Sequence, residues 1–176
     1  DLALDEFRNF QKSHPDAPEA PDNLLDWGGA LIELGARGDA AATLERLVAG
    51  YPASDAAAQA GLWLGDLYVG RGEWSRARDV LEGLAKRDGA RADRRATAWF
   101  ALARIYEAQT NVAVAVDALE QGTRMAPDPT MKVQGDAYRA KLLIRSGRVD
   151  EGVALFRQAV RAMPSENLSS AAQLDL

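Results

Sequence analysis

The sequence predicts an all-α chain of stacked helical hairpins, and three observations carry that expectation. Turn signals recur at near-regular intervals: Arg37-Gly38-Asp39, Arg71-Gly72-Glu73, Gln109-Thr110-Asn111 and Ser146-Gly147-Arg148 begin 34, 38 and 37 residues apart. A second series of breaks, Pro15, Pro52, Asp88-Gly89, Pro127 and Pro164, falls between them. Each interval therefore holds two helices, a tight turn and a looser one. Alanine supplies about a fifth of the chain, which suits closely packed helices because it loses no side-chain entropy on ordering. Strand-favouring Val, Ile, Thr, Tyr and Phe are sparse, which argues against a sandwich or barrel. One domain of 176 residues could bury about 70% of its unfolded surface around a single core. Punctuation this regular instead points to a solenoid, stabilised by stacking of neighbouring hairpins.

Composition excludes several classes of function. A formal net charge of −5 and a pI of about 5.0 disfavour a general nucleic-acid binder. The absence of cysteine excludes disulfides, zinc ribbons, iron–sulfur clusters and thiol nucleophiles, while leaving the compartment open. The one histidine, His14, precedes Pro15 and reads as a solvent-facing loop residue, so a His-based metal site or triad has little to rest on. Trp27-Gly28-Gly29 lies in a helical pattern without the lysine of a phosphate loop. No apolar run approaches the ~18–20 residues of a transmembrane helix. The opening Asp1-Leu2 reads as that of a mature form or an excised piece. No catalytic residue, metal or cofactor is expected, and the chain reads as a non-enzyme.

The elements follow in order. Residues 1–15 read as the second helix of a partial repeat, with Ala3, Phe7 and Phe10 ahead of Pro15. The 21–52 repeat begins near Pro21 and keeps Leu24, Trp27, Leu31 and Leu34 on one face. Its second helix follows Gly38, with Thr43 in the packing position, Leu47, and an early Pro52. In the 54–89 repeat, Ser54-Asp55 offers an N-cap, and Ala57, Ala60, Leu64, Leu67 and Tyr68 share a face. Glu73 then opens a helix with Trp74, Ala77, Val80, Leu81 and Leu84 on its buried side, a carboxylate suiting the positive end of the helix dipole. The 91–127 repeat carries Trp99, Leu102, Ala103 and Tyr106, then Val112, Ala115, Leu119 and Met125. Asp128-Pro129 reads as an N-cap followed by proline at the first helical position of the 129–164 repeat. Residues 165–176 read as a cap or the start of a further helix, since Ala171-Ala172-Gln173-Leu174 is similar to the opening of earlier first helices.

The pattern W-x2-L-G-x2-Y, then A-x3-F, then P, is the signature of the tetratricopeptide repeat, and four stretches of the chain resemble it. The 54–89 repeat supplies Leu64-Gly65, Tyr68, Gly72, Trp74, Ala77 and Leu81, with Gly61 in place of the tryptophan. The 91–127 repeat supplies Trp99, Leu102-Ala103, Tyr106, Ala115, Leu119 and Pro127. The 129–164 repeat keeps Ala140, Leu143, Gly147, Phe156, Ala159 and Pro164, but has Asp136 and Gly152 at two motif positions. The 21–52 repeat keeps Trp27, Leu34, Gly38 and Leu47. The resemblance spans nearly all of residues 1–164 and implies a right-handed α-α superhelix forming one array over 1–176. It implies close helix crossings at Gly65, Ala103 and Ala140, met by Ala77 and Ala115. Tyr68, Tyr106, Leu81 and Phe156 would fill the space between neighbouring pairs, and Trp27, Trp74 and Trp99 would be core.

By the same resemblance, the first helices line a concave groove. Its face would carry Leu62, Asp66 and Val69, then Phe100, Arg104 and Glu107, then Ala137, Lys141 and Ile144, with Trp63, Tyr138 and Arg145 beside them. The face of the 21–52 repeat would be bland, offering Gly28, Gly29, Ile32 and Gly35. The candidate partner-binding residues are Trp63, Asp66, Phe100, Arg104, Glu107, Tyr138, Lys141 and Arg145. Arg104, Lys141 and Arg145 would form a basic cluster flanked by aromatics, suited to an extended or helical peptide bearing an acidic side chain or a C-terminal carboxylate. The competing reading has these cations pairing with Glu107 and other neighbours on a solvated face. The Lys/Asn arrangement of repeats that clamp chaperone C-termini is not matched. Arg87, Arg91, Arg94 and Arg95 form a further basic stretch, interrupted by Asp88 and Asp93, and read as a solvated face.

The segment from Phe7 to Pro21, FRNFQKSHPDAPEAP, is similar to the F-x-x-F-x-K-x-x-P-x-S/A-x-x-A-P phrase of bacterial cell-envelope repeats. Such phrases occur in the Tol–Pal-associated periplasmic protein and the lipoprotein of the outer-membrane assembly machine. Val48 to Ala57 is a weaker copy. This resemblance implies a periplasmic or outer-membrane-associated adaptor in envelope assembly, with any membrane attachment indirect or through a removed anchor. The alternatives are a cytoplasmic regulatory module of a larger protein, or the accessory domain of an enzyme whose catalytic part lies elsewhere. In each case the partner is a protein or peptide, not nucleic acid, and self-association through terminal repeats stays open.

Overall fold

A computed structural model describes residues 2–163, and the expected cap or further helix at 165–176 lies outside the described residues. These fold into nine α-helices and no strand: α1 (Leu2–Ser13), α2 (Ala20–Glu33), α3 (Arg37–Gly50), α4 (Asp55–Gly70), α5 (Trp74–Ala85), α6 (Ala92–Ala108), α7 (Val112–Met125), α8 (Pro129–Arg145) and α9 (Val149–Arg161). The chain divides into two compact units, Asp1–Arg94 and Arg95–Leu176, with the boundary inside α6.

In the first unit each helix packs on the next in sequence, and α2 also packs on α4. The core is a ladder of leucines and alanines: Leu24, Leu44, Leu47, Leu64, Leu81 and Leu84 are fully buried, with Ala40, Ala57, Ala60 and Ala77 between them. Each buried leucine contributes about 2 kcal/mol of apolar transfer. Two glycines set the helix crossings. A Cβ on Gly28 would lie 2.5 Å from Leu44 Cδ2, and one on Gly65 would lie 2.9 Å from Leu81 Cδ2. The expected close approach at Gly65 is therefore present. Ser54 caps α4, its Oγ accepting from the Ala57 N–H at 3.0 Å. The hydroxyl of Tyr51 donates to the Pro15 carbonyl, and the buried Gln11 amide donates to the Ala20 carbonyl and Asn23 Oδ1 at 2.8 and 2.9 Å. These bonds tie the loop after α1 to the second hairpin.

The 21–52 repeat corrects the sequence reading by three residues. Gly28, assigned to the groove, is buried against Leu44. The residue in register with Ala77 is Ala40, fully buried, rather than Thr43. Leu34 is not core but 65% exposed at the end of α2. The turn glycine is Gly35 at φ 74°, and Arg37 already opens α3. Leu24, Trp27, Gly28 and Leu31, all buried, thus correspond to Gly61, Leu64, Gly65 and Tyr68. A slip of three residues keeps a side chain on the same helical stripe, so apolar pattern alone did not resolve it.

With that register the four tight turns are equivalent. Gly35, Gly72, Thr110 and Gly147 all have positive φ and stand 37, 38 and 37 residues apart. Each donates its N–H three residues back, to Ile32, Val69, Glu107 and Ile144, and the following residue donates five back, to Leu31, Tyr68, Tyr106 and Leu143. This paired bonding is the Schellman motif, which satisfies the last carbonyls of the first helix and needs a left-handed residue.

In the second unit α7 packs on α8 and α8 on α9. Leu102, Ala103, Ala115, Leu119, Ala140, Leu142 and Leu143 are buried. Asp128 caps α8, its Oδ1 accepting from the Met131 N–H at 2.8 Å, with Pro129 at the first helical position. The close approaches fall on different helices here. A Cβ on Gly122 of α7 would lie 2.5 Å from Phe100 Cε1, and one on Gly135 of α8 would lie 2.8 Å from Phe100 Cζ. A Cβ on Gly152 of α9 would lie 2.6 Å from Ile144 Cγ1 and 2.8 Å from the Ala140 carbonyl oxygen. Of the tryptophans expected in the core, Trp27 is buried and Trp99 half-buried, but Trp74 is 38% exposed at the start of α5. It is the first residue of α5, one turn ahead of the fully buried Ala77.

Candidate functional site

The first helices of neighbouring hairpins present two distinct surfaces, one in each unit. In the first unit, α2 and α4 flank a pocket of about 510 Å³ lined by Gly29, Ile32, Glu33, Arg37, Trp63, Asp66, Leu67 and Gly70. Helical spacing places Trp63, Asp66 and Gly70 on one stripe of α4, and Gly29, Ile32 and Glu33 face them from α2. Trp63 is half-buried. Its Cη2 and Cζ3 atoms lie 3.4 Å from where a Cβ would stand on Gly29, so the bare glycine backbone admits the indole against α2. Glu33, Arg37 and Asp66 are exposed.

Two of the eight candidates, Trp63 and Asp66, therefore share this pocket. Sequence reading put Gly29 and Ile32 on this face but missed Glu33 and Arg37, giving Gly28 and Gly35 in their stead. The signal was available: Leu24-x2-Trp27-Gly28-x2-Leu31 matches Gly61-x2-Leu64-Gly65-x2-Tyr68 at an offset of 37 residues. Leu62, expected on the groove, is buried at 9% exposure.

The remaining six candidates lie in the second unit. The Tyr138 hydroxyl donates to one Glu107 oxygen, and Arg145 pairs with the other. Burial raises the Tyr138 phenol well above its ordinary pKa, reinforced by its hydrogen bond to Glu107 and that carboxylate's charge, against the fields of Arg104 and Arg145. Arg104 and Lys141 are exposed. Phe100 is brought elsewhere: its ring is wedged between Gly122 of α7 and Gly135 of α8, half-buried, and acts as a packing element. Ile144 is likewise taken up by α9 at Gly152. The basic cluster is thus split, with Arg145 neutralised by Glu107 while Arg104 and Lys141 make no ion pair among the described residues.

The basic stretch at the third loop is engaged locally. Arg87 donates to the Pro52 carbonyl at 2.7 Å, and Arg91 holds Asp93 through two bonds of 3.1 Å, which lower the Asp93 carboxyl below its ordinary pKa. His14 is exposed, its ring 5.5 Å from that of Phe10. Among the described residues no group of three or more His, Cys, Asp or Glu is placed to hold a metal ion, and no helix is long and apolar enough to cross a membrane.

Residues 62–128 match the tetratricopeptide repeat family. No curated protein sequence matches. Among solved structures, a crystal structure of MamA is 22% identical at TM-score 0.67, covering 89% of this chain and 85% of that one. MamA residues 41 to the end from Desulfovibrio magneticus RS-1 are 17% identical at TM-score 0.61, covering 91% and 94%. YrrB, described as a TPR protein with an unusual peptide-binding site, is 15% identical at TM-score 0.61, covering 88% and 75%. At such identities the likeness establishes the fold. Residues 62–128 thus carry tetratricopeptide repeat sequence, and the described helices share the fold of those solved structures.

Proposed function

We propose that the chain is a non-enzymatic interaction scaffold holding a segment of a partner protein on the faces made by its first helices. One observation carries this reading. In the first unit Glu33, Arg37 and Asp66 line one pocket with Trp63 and make no ion pair among the described residues, and in the second unit Arg104 and Lys141 stand exposed on first helices, likewise without one. YrrB, of the same fold, carries a peptide-binding site by its description, which lends support at the level of fold.

The second unit's face suits an acidic side chain or a C-terminal carboxylate, since Arg104 and Lys141 are exposed on its first helices and make no ion pair among the described residues. The test is fluorescence anisotropy with nine-residue peptides carrying Glu, Gln or Lys at the centre. Arg104→Glu with Lys141→Glu should weaken the Glu peptides at least about tenfold while leaving the melting temperature unchanged, because both side chains are exposed. Undiminished binding overturns this placement.

Service in bacterial envelope assembly, in the periplasm or at the outer membrane, is a narrower proposal and rests on the Phe7–Pro21 phrase. The flanking sequence of the precursor tests it. A signal peptide or lipobox upstream supports it, and a fused cytoplasmic effector domain overturns it in favour of a regulatory module.

A further inference from the structure

We infer that the pocket between α2 and α4 recognises a basic side chain, arginine or lysine, of the bound segment. This deepens the scaffold reading and rests on it. The two units then differ in sign: the second offers cations to an acidic group, and the first offers carboxylates to a cation.

The argument begins with charge. Glu33 on α2 and Asp66 on α4 face one pocket with a single opposing cation, Arg37. None of the three forms an ion pair among the described residues, so both carboxylates keep their full acceptor capacity. The contrast with similar groups nearby is direct. Glu45 and Glu73 are both held by Arg76, at 2.7 and 2.8 Å; Asp93 by Arg91; and Glu82 by Lys86 at 2.8 Å. These four carboxylates are taken up internally, while the two at the pocket make no ion pair among the described residues.

Shape and polarisability point the same way. Trp63 forms one wall, and Ile32 and Leu67 supply apolar surface for the methylene stem of a long side chain, which packs on apolar walls while its charged head stays in polar surroundings. Tryptophan is the strongest aromatic partner for a cation. The glycines at both ends matter too. Gly29 lets the indole approach α2, and the Arg37 guanidinium stands 4.0 Å from where a Gly70 Cβ would be. Arg37 therefore sits at the α4 C-terminal rim, where it is free to donate to a backbone carbonyl of the same segment. A volume of about 510 Å³ falls within the ~300–1,000 Å³ usual for a built ligand pocket.

The test uses the full chain and capped amino acids as probes. In 15N-labelled protein the Trp63 indole N–H is assigned by its loss in Trp63→Phe, and the Gly29 and Gly70 amides report on the pocket ends. Nα-acetyl-arginine amide and Nα-acetyl-lysine amide should shift these three signals saturably, whereas the glutamine and glutamate amides at equal ionic strength should not. Glu33→Gln with Asp66→Asn should weaken the arginine response at least about tenfold without unfolding, because both side chains are exposed. Equal shifts from the glutamine probe, no shift from either cation, or an unchanged response in the double variant each overturn the inference. If Glu-centred peptides still bind the second unit while Trp63 ignores cations, only this inference fails. If neither face responds, the scaffold reading fails with it.

Discussion

The two units close their helix crossings with the same economy of volume but do not put glycine at the same positions. In the first unit the glycine is on the first helix of the pair, Gly28 or Gly65, and a leucine of the second helix, Leu44 or Leu81, fills the space above it. In the second unit the corresponding first-helix residues are Ala103 and Ala140, both fully buried, and glycine moves to Gly122, Gly135 and Gly152. Large partners then come from first helices instead, Phe100 over Gly122 and Gly135, and Ile144 over Gly152. A hairpin of this fold needs one missing side chain at each crossing, not glycine at a fixed motif position. The consequence for function is local. Phe100 is consumed by packing in the second unit, whereas in the first unit a tryptophan of a first helix, Trp63, is left beside an open pocket.

The sharpest way to break this comparison is Gly152→Ala. The added methyl would stand 2.8 Å from the Ala140 carbonyl oxygen, and backbone cannot turn aside as a leucine tip can. The expected cost is about 3 kcal/mol, at the upper end for overpacking, seen as early melting of α9 in hydrogen exchange. A cost below about 1 kcal/mol would mean that α9 can shift outward freely, and that the second unit's terminal crossing is not tightly specified.

Next in size is a pH effect that separates two tyrosines. Tyr68 is buried and donates to Glu45, with Arg76 4.4 Å from its ring centroid. Burial, then the bond to Glu45, raises its pKa to about 12. Below pH 10 both folded and unfolded chains keep the phenol proton and the full stabilisation is present. Between pH 10 and about 12 the unfolded chain ionises first, so stability falls as pH rises. The loss should be on the order of 2 kcal/mol across that window, and Tyr68→Phe should remove it from alkaline denaturation curves. Tyr138 obeys the same sign, since its phenol is also raised by burial and by Glu107, so Tyr68→Phe should remove only its own share of the alkaline loss. Tyr68→Phe curves that still match wild type above pH 10 would refute the assignment.

Smaller again are Gly28→Ala and Gly65→Ala, at about 1–2 kcal/mol each. Both added methyls meet leucine side chains, which can change rotamer. Gly65→Ala should therefore be partly rescued by Leu81→Val, with a coupling of about 1 kcal/mol in a double-mutant cycle; strict additivity would show that the crossing relaxes by helix movement instead.

How far the sequence revealed all this depends on which interactions are local. The hairpin count followed from Pro52, Pro127 and the turn signals, and the caps at Ser54 and Asp128 from short-range chemistry confined to three residues. The register of α2 was not legible from Trp27, because residues three apart share a helical face and tryptophan fits either place. Trp63 and Asp66 came from the family resemblance laid onto α4, and both line the pocket. Glu33 and Arg37 were hidden behind the slipped register. The fate of Phe100 and Arg145 was not readable from their own helices: the first is decided by two glycines on α7 and α8, the second by Glu107, distant in sequence on α6.

The smallest effect tests the turns, where the units also differ by one residue. Gly35 and Gly72 serve the first unit, Thr110 and Gly147 the second, all in the left-handed region at φ 61° to 87°. Only Thr110 carries a Cβ there, and a β-branched one, against a left-handed cost of about 1–2 kcal/mol for an L-residue. Its Oγ1 donates to the Gln109 carbonyl at 2.7 Å, which returns part of that cost. Thr110→Gly relieves the strain but loosens the unfolded chain by about 0.5–1 kcal/mol, so the net expectation is a gain of about 0.5 kcal/mol in denaturant midpoint. Gly72→Thr in the first unit should lose a similar amount, about 0.5 kcal/mol, through the left-handed backbone alone, because nothing lies within 4 Å of where its Cβ would stand. If Thr110→Gly is destabilising, the hydroxyl bond to Gln109 outweighs the left-handed strain, and the threonine is there to stiffen the turn that joins α6 to α7.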